Sequence, residues 1–159
     1  MSCQVVFCIT IMLNDLSSKF ERHQPAIMSK KIFILDSKKA TVEMIREVML
    51  DEGYKVKGVI AAEGFISGVR RYKPDLVLVD YNLLSKFTGL ELCRQIKANP
   101  KTAHIPVIMM TAYPWLSDCL KYWDPDAVIF KPFSVDELTR KVKNLLFFDQ
   151  ERHENMESL

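Results

Sequence analysis

Four polar side chains of this chain each come directly after a run of three or four β-forming residues. They are Asp36, Asp80, Thr111 and Lys131. In a parallel sheet the carboxyl ends of the strands meet at one edge, and α/β folds bind their ligands at that edge. Two carboxylates, a hydroxyl and an ammonium suit acid-anhydride phosphate chemistry. We therefore expect these groups to form one site, with Asp80 in its middle.

An aspartate that attacks a phosphoryl group must overcome the repulsion between its own charge and that of the phosphate. The site then needs a divalent cation and fixed donors for the charge that spreads over the equatorial oxygens. Asp36 can help to hold Mg²⁺, and Lys131 and Thr111 can bind phosphoryl oxygens. Taken singly, each residue has an ordinary explanation as a cap, a turn or a solvated charge. The interpretation rests on their combination.

Apolar strand-like runs alternate with helical patterns about five times from residue 31 onward. Helices are predicted at about 39–51, 62–72, 89–98, 116–123 and 135–147. Lys55 and Lys57 alternate with Val56 in the weakest strand, residues 54–60, which indicates a position near a sheet edge. Ser134, with Glu137 three residues on, predicts a capping box for the last helix. Short connections favour a parallel sheet that is covered on both faces.

Length and composition limit the classes of protein to consider. The chain has 159 residues, of which 48% are hydrophobic and 26% are charged, and this suits one domain with a proper core. A net charge of +2 does not indicate binding to nucleic acid. The apolar run at 5–13 is too short to span a bilayer. Four cysteines lack CxxC and metal-ligand spacing, so we expect reduced thiols in a cytoplasmic protein.

Residues 31 to about 147 resemble the receiver domain of two-component response regulators. Asp80 matches the phospho-accepting aspartate, Thr111 the hydroxyl residue after strand four, and Asp36 the first member of the acidic pair. Lys131 begins the Lys-Pro-Phe signature of the family. The resemblance implies a doubly wound α/β fold whose five-stranded parallel sheet has the order 2-1-3-4-5.

The resemblance also implies a metal site and a set of partners. Asp36, Asp80 and the backbone carbonyl of Asn82 would bind Mg²⁺, and the peptide bond before Pro132 would be cis. A sensor histidine kinase or phosphotransfer protein would donate the phosphoryl group. A downstream protein or a second copy of the chain would receive the signal, without nucleic acid or membrane.

Two departures from the family fall beside the first strand. Ser37 stands where the family has the second carboxylate of the acidic pair, so we expect weaker Mg²⁺ binding. Lys38 follows, and we interpret it as a solvent-facing lysine at a helix start. The alternative is that Lys38 supplies part of the missing positive charge.

Two further departures concern the loop after Asp80 and the last strand. That loop is one residue longer than usual, which displaces Gly89 by one. Val128 occupies the place of the aromatic residue that switches in the family, so that switch cannot operate. Tyr113 and Trp115 are candidates for a substitute aromatic face.

Two functions from different classes fit these residues. The first is a stand-alone receiver that is phosphorylated on Asp80, and the intact Thr111 and Lys131 favour it. The second is a pseudo-receiver that binds proteins without metal or phosphate, and Ser37 and Val128 favour that one. We favour phosphorylation, because a missing carboxylate weakens a metal site without abolishing it. Neither function makes the chain an enzyme in the ordinary sense.

Other phosphate-handling folds fit less well. A phosphatase of the haloacid dehalogenase type needs an aspartate where this chain has Asn82, and a Rossmann domain needs GxGxxG after its first strand. We divide the chain into a leader at 1–28, a receiver domain at 29–148 and a polar tail at 149–159. The leader is interpreted as disordered or as a misassigned start, with a short amphipathic helix as the alternative.

Overall fold

The computed structural model of the chain describes residues 30–115 and 125–156, with side chains as far as residue 147. The leader expected at residues 1–28 and the helix expected at 116–123 lie outside the described residues. Among the described helices, none is long and apolar enough to cross a bilayer.

The described residues form five strands and four helices, which alternate except that no described helix stands between the last two strands. The strands are β1 (Lys31–Leu35), β2 (Lys55–Val59), β3 (Leu76–Asp80), β4 (Val107–Thr111) and β5 (Ala127–Phe130). The helices are α1 (Lys39–Asp51), α2 (Phe65–Tyr72), α3 (Gly89–Lys97) and α4 (Val135–Met156).

All neighbouring strands are parallel, and their order is β2-β1-β3-β4-β5. The expected doubly wound fold is therefore confirmed, and β2 lies at an edge as its lysines indicated. The register pairs Leu35 with Val79, Asp80 with Met110, and Thr111 with Phe130. The strands thus end at nearly the same level, which brings the residues that follow them to one edge.

The alternation of side chains along the strands divides the core into two layers. On one face Phe33, Val77 and Met109 pack with residues of α2 and α3. On the other face Ile34 and Leu78 pack with residues of α1 and α4. Every residue of β3 and β4 is buried, as expected for central strands covered on both faces. This double layer makes the sheet a rigid support for the loops at its carboxyl edge.

Helix ends show where the sequence pattern was less exact. The second helix begins at Phe65 rather than near 62, because Gly64 takes a positive φ of 73° that interrupts helical geometry. The last helix continues to Met156, beyond the predicted end near 147, because its polar residues include several good helix formers. The Ser134 hydroxyl accepts from the backbone N–H of Glu137 at 3.1 Å, as the predicted N-cap requires.

Candidate functional site

The polar residues that follow the strands are held by additional ladder hydrogen bonds. The Asp36 N–H donates to the carbonyl of Val59 at 3.3 Å, and the Lys131 N–H donates to the carbonyl of Thr111 at 2.7 Å. The backbone on either side of the site therefore continues the sheet for one more residue. The peptide bond between Lys131 and Pro132 is cis, as the resemblance implied.

An ion pair shared by three residues forms the centre of the site. Lys131 Nζ lies 2.6 Å from Asp36 Oδ2 and 2.8 Å from Asp80 Oδ1. The Asp36 side chain is completely buried, that of Asp80 is 10% exposed and that of Lys131 is 23% exposed. One ammonium therefore neutralises only one of two neighbouring carboxylates, which leaves an excess negative charge at the rim of the core.

The surroundings shift the proton affinities of two members of this ion pair. Burial raises the pKa of Asp80 above its ordinary value, although the hydrogen bond from Lys131 opposes that shift. Burial lowers the pKa of Lys131, but its hydrogen bonds to Asp36 and Asp80 outweigh this effect and the net shift is upward. Lys131 is thus a permanent cation near neutral pH. Asp80 is a more basic carboxylate than an aspartate on the surface.

A cavity of about 200 Å³ opens beside Asp80. Asp80, Asn82, Thr111 and Lys131 all contribute to its lining. Thr111 is completely buried, and its Oγ1 accepts from the backbone N–H of Tyr113 at 3.0 Å. Because that oxygen is used as an acceptor, the hydroxyl proton is available to a ligand in the cavity.

The oxygens that would hold a metal ion already accept hydrogen bonds from the protein. Asp36 Oδ1 accepts from the Lys38 N–H at 2.8 Å, and Asp36 Oδ2 accepts from Lys131. The Ser37 hydroxyl donates to the backbone carbonyl of Asn82 at 3.2 Å. Two carboxylates and a carbonyl are suitable donors for a hard cation. In the described ranges, however, no group of three or more His, Cys, Asp or Glu residues could hold a metal.

The loop after Asp80 packs closely against the end of β3. A Cβ atom at Gly89 would lie only 2.3 Å from the Asp80 carbonyl oxygen, so the displaced glycine still allows this close approach. Leu84 takes a positive φ of 49° and is 79% exposed, which shows that the longer loop projects an apolar side chain into solvent.

Tyr81 and Tyr113 line the cavity, and the ring of Trp115 lies next to Tyr113. The ring centroids of Tyr81 and Tyr113 are 5.7 Å apart in an edge-to-face arrangement, and those of Tyr113 and Trp115 are 5.8 Å apart. Tyr113 therefore links the Thr111 hydroxyl to an exposed tryptophan. The suggestion that Tyr113 and Trp115 form an aromatic face agrees with this geometry.

The structure brings together every residue that the sequence predicted for the site. Asp36, Asp80, Thr111, Lys131 and the Asn82 carbonyl all lie at the carboxyl edge of the sheet. Two features went unpredicted: Tyr81 as a lining residue, and the hydrogen bond from Ser37. Lys38 is exposed at the helix start, as expected, and it also lines the cavity, which agrees with the alternative that it supplies positive charge there.

Comparisons with known proteins agree on the kind of domain. A family model for the response regulator receiver domain matches residues 32–143. The phosphate regulon transcriptional regulatory protein PhoB of Rhizobium meliloti is 30% identical over 121 residues, which are 75% of this chain and 53% of PhoB. The polar-differentiation response regulator DivK of Brucella ovis is 27% identical over 121 residues, which are 75% of this chain and 98% of DivK.

A solved structure shows the same architecture. It is the receiver domain of the sensor histidine kinase PA1611 from Pseudomonas aeruginosa, described with a magnesium ion coordinated in its active site cleft. The TM-score is 0.67 at 23% identity, over 74% of this chain and 98% of that one. This chain spans only about half the length of several curated relatives, 53% and 48% in two cases.

Proposed function

We propose that Asp80 accepts a phosphoryl group in a phosphorelay, because the chain belongs to the family of response regulator receiver domains. The donor in this proposal is a phosphohistidine on a partner protein. The observation that carries the proposal is the Asp80 carboxylate at the wall of a cavity, 2.8 Å from the Lys131 ammonium. Receiver domains are signalling domains, so the expected outcome of phosphorylation is a change in protein contacts.

The transfer would use the oxygen of Asp80 that is not bonded to Lys131. Within the described residues, Asp80 Oδ1 accepts from Lys131, whereas Oδ2 has no hydrogen-bond donor. Oδ2 attacks phosphorus, an oxygen-phosphorus bond forms, and the bond from phosphorus to the histidine nitrogen breaks. The imidazole leaves with the electron pair and takes up a proton. The basicity of the buried carboxylate favours this attack.

Fixed donors would then stabilise the transferred group. Lys131 can turn from the carboxylates towards a phosphoryl oxygen, and the free proton of the Thr111 hydroxyl can bind another oxygen. Both groups already line the cavity before transfer, so only the Lys131 ammonium has to move to stabilise the developing charge.

We further propose that Asp36, Asp80 and the Asn82 carbonyl hold Mg²⁺ with low affinity. Receiver domains generally bind this ion, and it supplies positive charge at the phosphoryl oxygens. Ser37 provides a hydroxyl instead of a carboxylate, and that hydroxyl donates to the Asn82 carbonyl. A cation must therefore compete with protein donors for its ligands.

A pseudo-receiver remains the second candidate, and the ion pair of Lys131 with both carboxylates favours it. In that case the three charges stabilise the loops, and the domain binds its partners without phosphorylation. Both candidates place the function in residues 29–148 of a cytoplasmic protein. They also share the expected partners: a kinase or phosphotransfer protein, a downstream protein, or a second copy of the chain.

Acetyl phosphate distinguishes these two functions directly. We expect incubation with acetyl phosphate and high Mg²⁺ to add one phosphoryl group, measured by intact mass, because Asp80 lines the cavity and its Oδ2 has no hydrogen-bond donor among the described residues. Asp80→Asn should abolish the addition. Asp75→Asn is the same exchange at the residue that directly precedes β3, at the other end of the strand, and it should leave the addition unchanged. If the wild-type mass stays unchanged at high Mg²⁺, the pseudo-receiver is the better description.

A further inference from the structure

The charges at the site are arranged differently from what a metal-dependent acceptor needs. Asp36 and Asp80 share Lys131, and the third carboxylate expected beside them is replaced by Ser37. The Ser37 hydroxyl binds the Asn82 carbonyl, which is itself one of the proposed metal ligands. The Ser37 replacement lowers the attraction of the site for a divalent cation, because it removes a carboxylate and occupies the Asn82 carbonyl. The site therefore needs positive charge from another source.

Lys38 is the residue that can supply this charge. It lines the same cavity as Asp80, Thr111 and Lys131. Its backbone N–H donates to Asp36 Oδ1 at 2.8 Å, which fixes the point from which its side chain extends. Lys38 and the acceptor therefore face the same cavity.

An ordinary capping role does not explain Lys38. It is the N-cap residue of α1, but an ammonium has no acceptor for the backbone N–H groups at a helix start. Its neighbour Lys39 has a structural partner, since it pairs with Glu43 on the same helix at 3.4 Å. Lys38 belongs to no ion pair within the described residues, so its ammonium is available for an anion that enters the cavity.

We propose that Lys38 is a second phosphoryl-binding cation, which makes phosphorylation of Asp80 less dependent on Mg²⁺. This inference rests on the proposed function. Lys131 approaches the phosphoryl group from the loop after β5, and Lys38 approaches from the loop after β1. With acetyl phosphate, the bond from Asp80 Oδ2 to phosphorus forms and acetate leaves with the bonding electrons. The two ammonium groups balance the charge of the transferred oxygens, and no further reactant is required.

The Mg²⁺ dependence of phosphorylation tests this role. Wild-type protein should retain measurable phosphorylation by acetyl phosphate after Mg²⁺ is removed with a chelator. Lys38→Ala should lower that metal-free rate by about tenfold, the size expected for one charge at a partly exposed site. Lys38→Arg should restore most of it, and Lys39→Ala should behave as wild type. Equal metal-free rates in wild type and Lys38→Ala would overturn the proposal.

Mg²⁺ affinity provides a second measurement that does not depend on transfer. The Trp115 ring lies 5.8 Å from the ring of Tyr113, which lines the cavity, so its fluorescence can report binding. Because Lys38 repels a divalent cation, Lys38→Ala should tighten Mg²⁺ binding by about threefold to tenfold at low salt. Lys39→Ala should not. An unchanged affinity in Lys38→Ala would contradict the proposal, even if acetyl phosphate gave no adduct and the proposed function had already failed.

Discussion

Ion pairs of lysine with aspartate lie at the amino edge of the sheet, where the strands begin, and at the carboxyl edge, where they end. The proportion of lysine to aspartate differs between the two edges. At the amino edge each aspartate has its own lysine: Lys30 lies 3.3 Å from Asp75, and Lys97 lies 2.6 Å from Asp126. Both carboxylates are 34% exposed, and each also accepts a hydrogen bond from the backbone N–H of a strand residue. These pairs are electrically balanced, partly hydrated and directed at the backbone. Their role is structural.

The carboxyl edge has one lysine for two carboxylates, and burial is deeper. Asp36 and Asp80 are nearly inaccessible, and the charge of Lys131 is divided between them. Desolvation of a charge is costly unless a partner compensates for it, and here the compensation is incomplete. The identity of the residues in an ion pair therefore says little about its role. Burial and the ratio of charges separate the site from the scaffold.

Removal of the shared lysine should have the largest effect. Lys131→Met leaves two buried carboxylates side by side, so we expect a loss of about 3 kcal/mol in the free energy of unfolding. Phosphorylation by acetyl phosphate should fall by about 100-fold or more, because a preorganised donor is lost. Urea unfolding and intact mass measure the two effects.

Lys30→Met is the matched control, because Lys30 is 22% exposed and Lys131 is 23% exposed. A partly hydrated pair contributes little, so this exchange should cost about 1 kcal/mol or less. An equal loss of unfolding free energy in Lys131→Met and Lys30→Met would show that the ion pairs at the two edges do not differ in this way.

Exchange of aspartate for asparagine should have opposite signs at the two edges. Asp80→Asn removes the excess charge and leaves Lys131 paired with Asp36, so we expect about 1–2 kcal/mol of added stability at neutral pH. Asp75→Asn removes a charged acceptor of a backbone N–H and a partner of Lys30, and it should cost about 1 kcal/mol. Thermal or urea unfolding of both variants measures the difference. Two changes of the same sign would contradict the comparison.

The pH dependence of stability tests the raised pKa of Asp80, and the expected effect is smaller. The pKa of Asp80 is raised by burial in the folded protein, so the folded state binds its proton more tightly than the unfolded state does. Burial of the charged Asp80 carboxylate lowers stability by its full amount above the pKa of the folded state. This cost is relieved as the pH falls towards the pKa of the unfolded state. The stability advantage of Asp80→Asn should therefore shrink between about pH 7 and about pH 4. A constant difference in unfolding free energy between Asp80→Asn and wild type across this range would argue against a raised pKa of Asp80.

The sequence predicted the sheet and the membership of the site because both depend on local patterns. Four apolar runs define buried strands, and in a parallel sheet the residue after each run must reach the same edge. The sequence could not predict that Lys131 would divide its charge between Asp36 and Asp80. That division depends on distances between loops that lie 95 and 51 residues apart in the chain.

One local signal and one contact between loops were not predicted from the sequence. Thr88 and Glu91 form a complete capping box at the start of α3, a spacing that is visible in the sequence. The hydrogen bond from Ser37 to the Asn82 carbonyl had no such signal, because it joins two loops. Replacement of a carboxylate by serine predicted a weaker metal site, but it did not predict that the serine would engage another metal ligand.

Direct location of the phosphoryl group is the most stringent test of whether Asp80 is the acceptor. Borohydride reduces an aspartyl phosphate to homoserine, which peptide mass spectrometry can assign to one position. After treatment with acetyl phosphate and Mg²⁺, we predict that position 80 alone carries the reduced product and that Asp36 remains unmodified. Reduction at another residue, or an unmodified Asp80 in protein that has gained the mass of a phosphoryl group, would contradict the account.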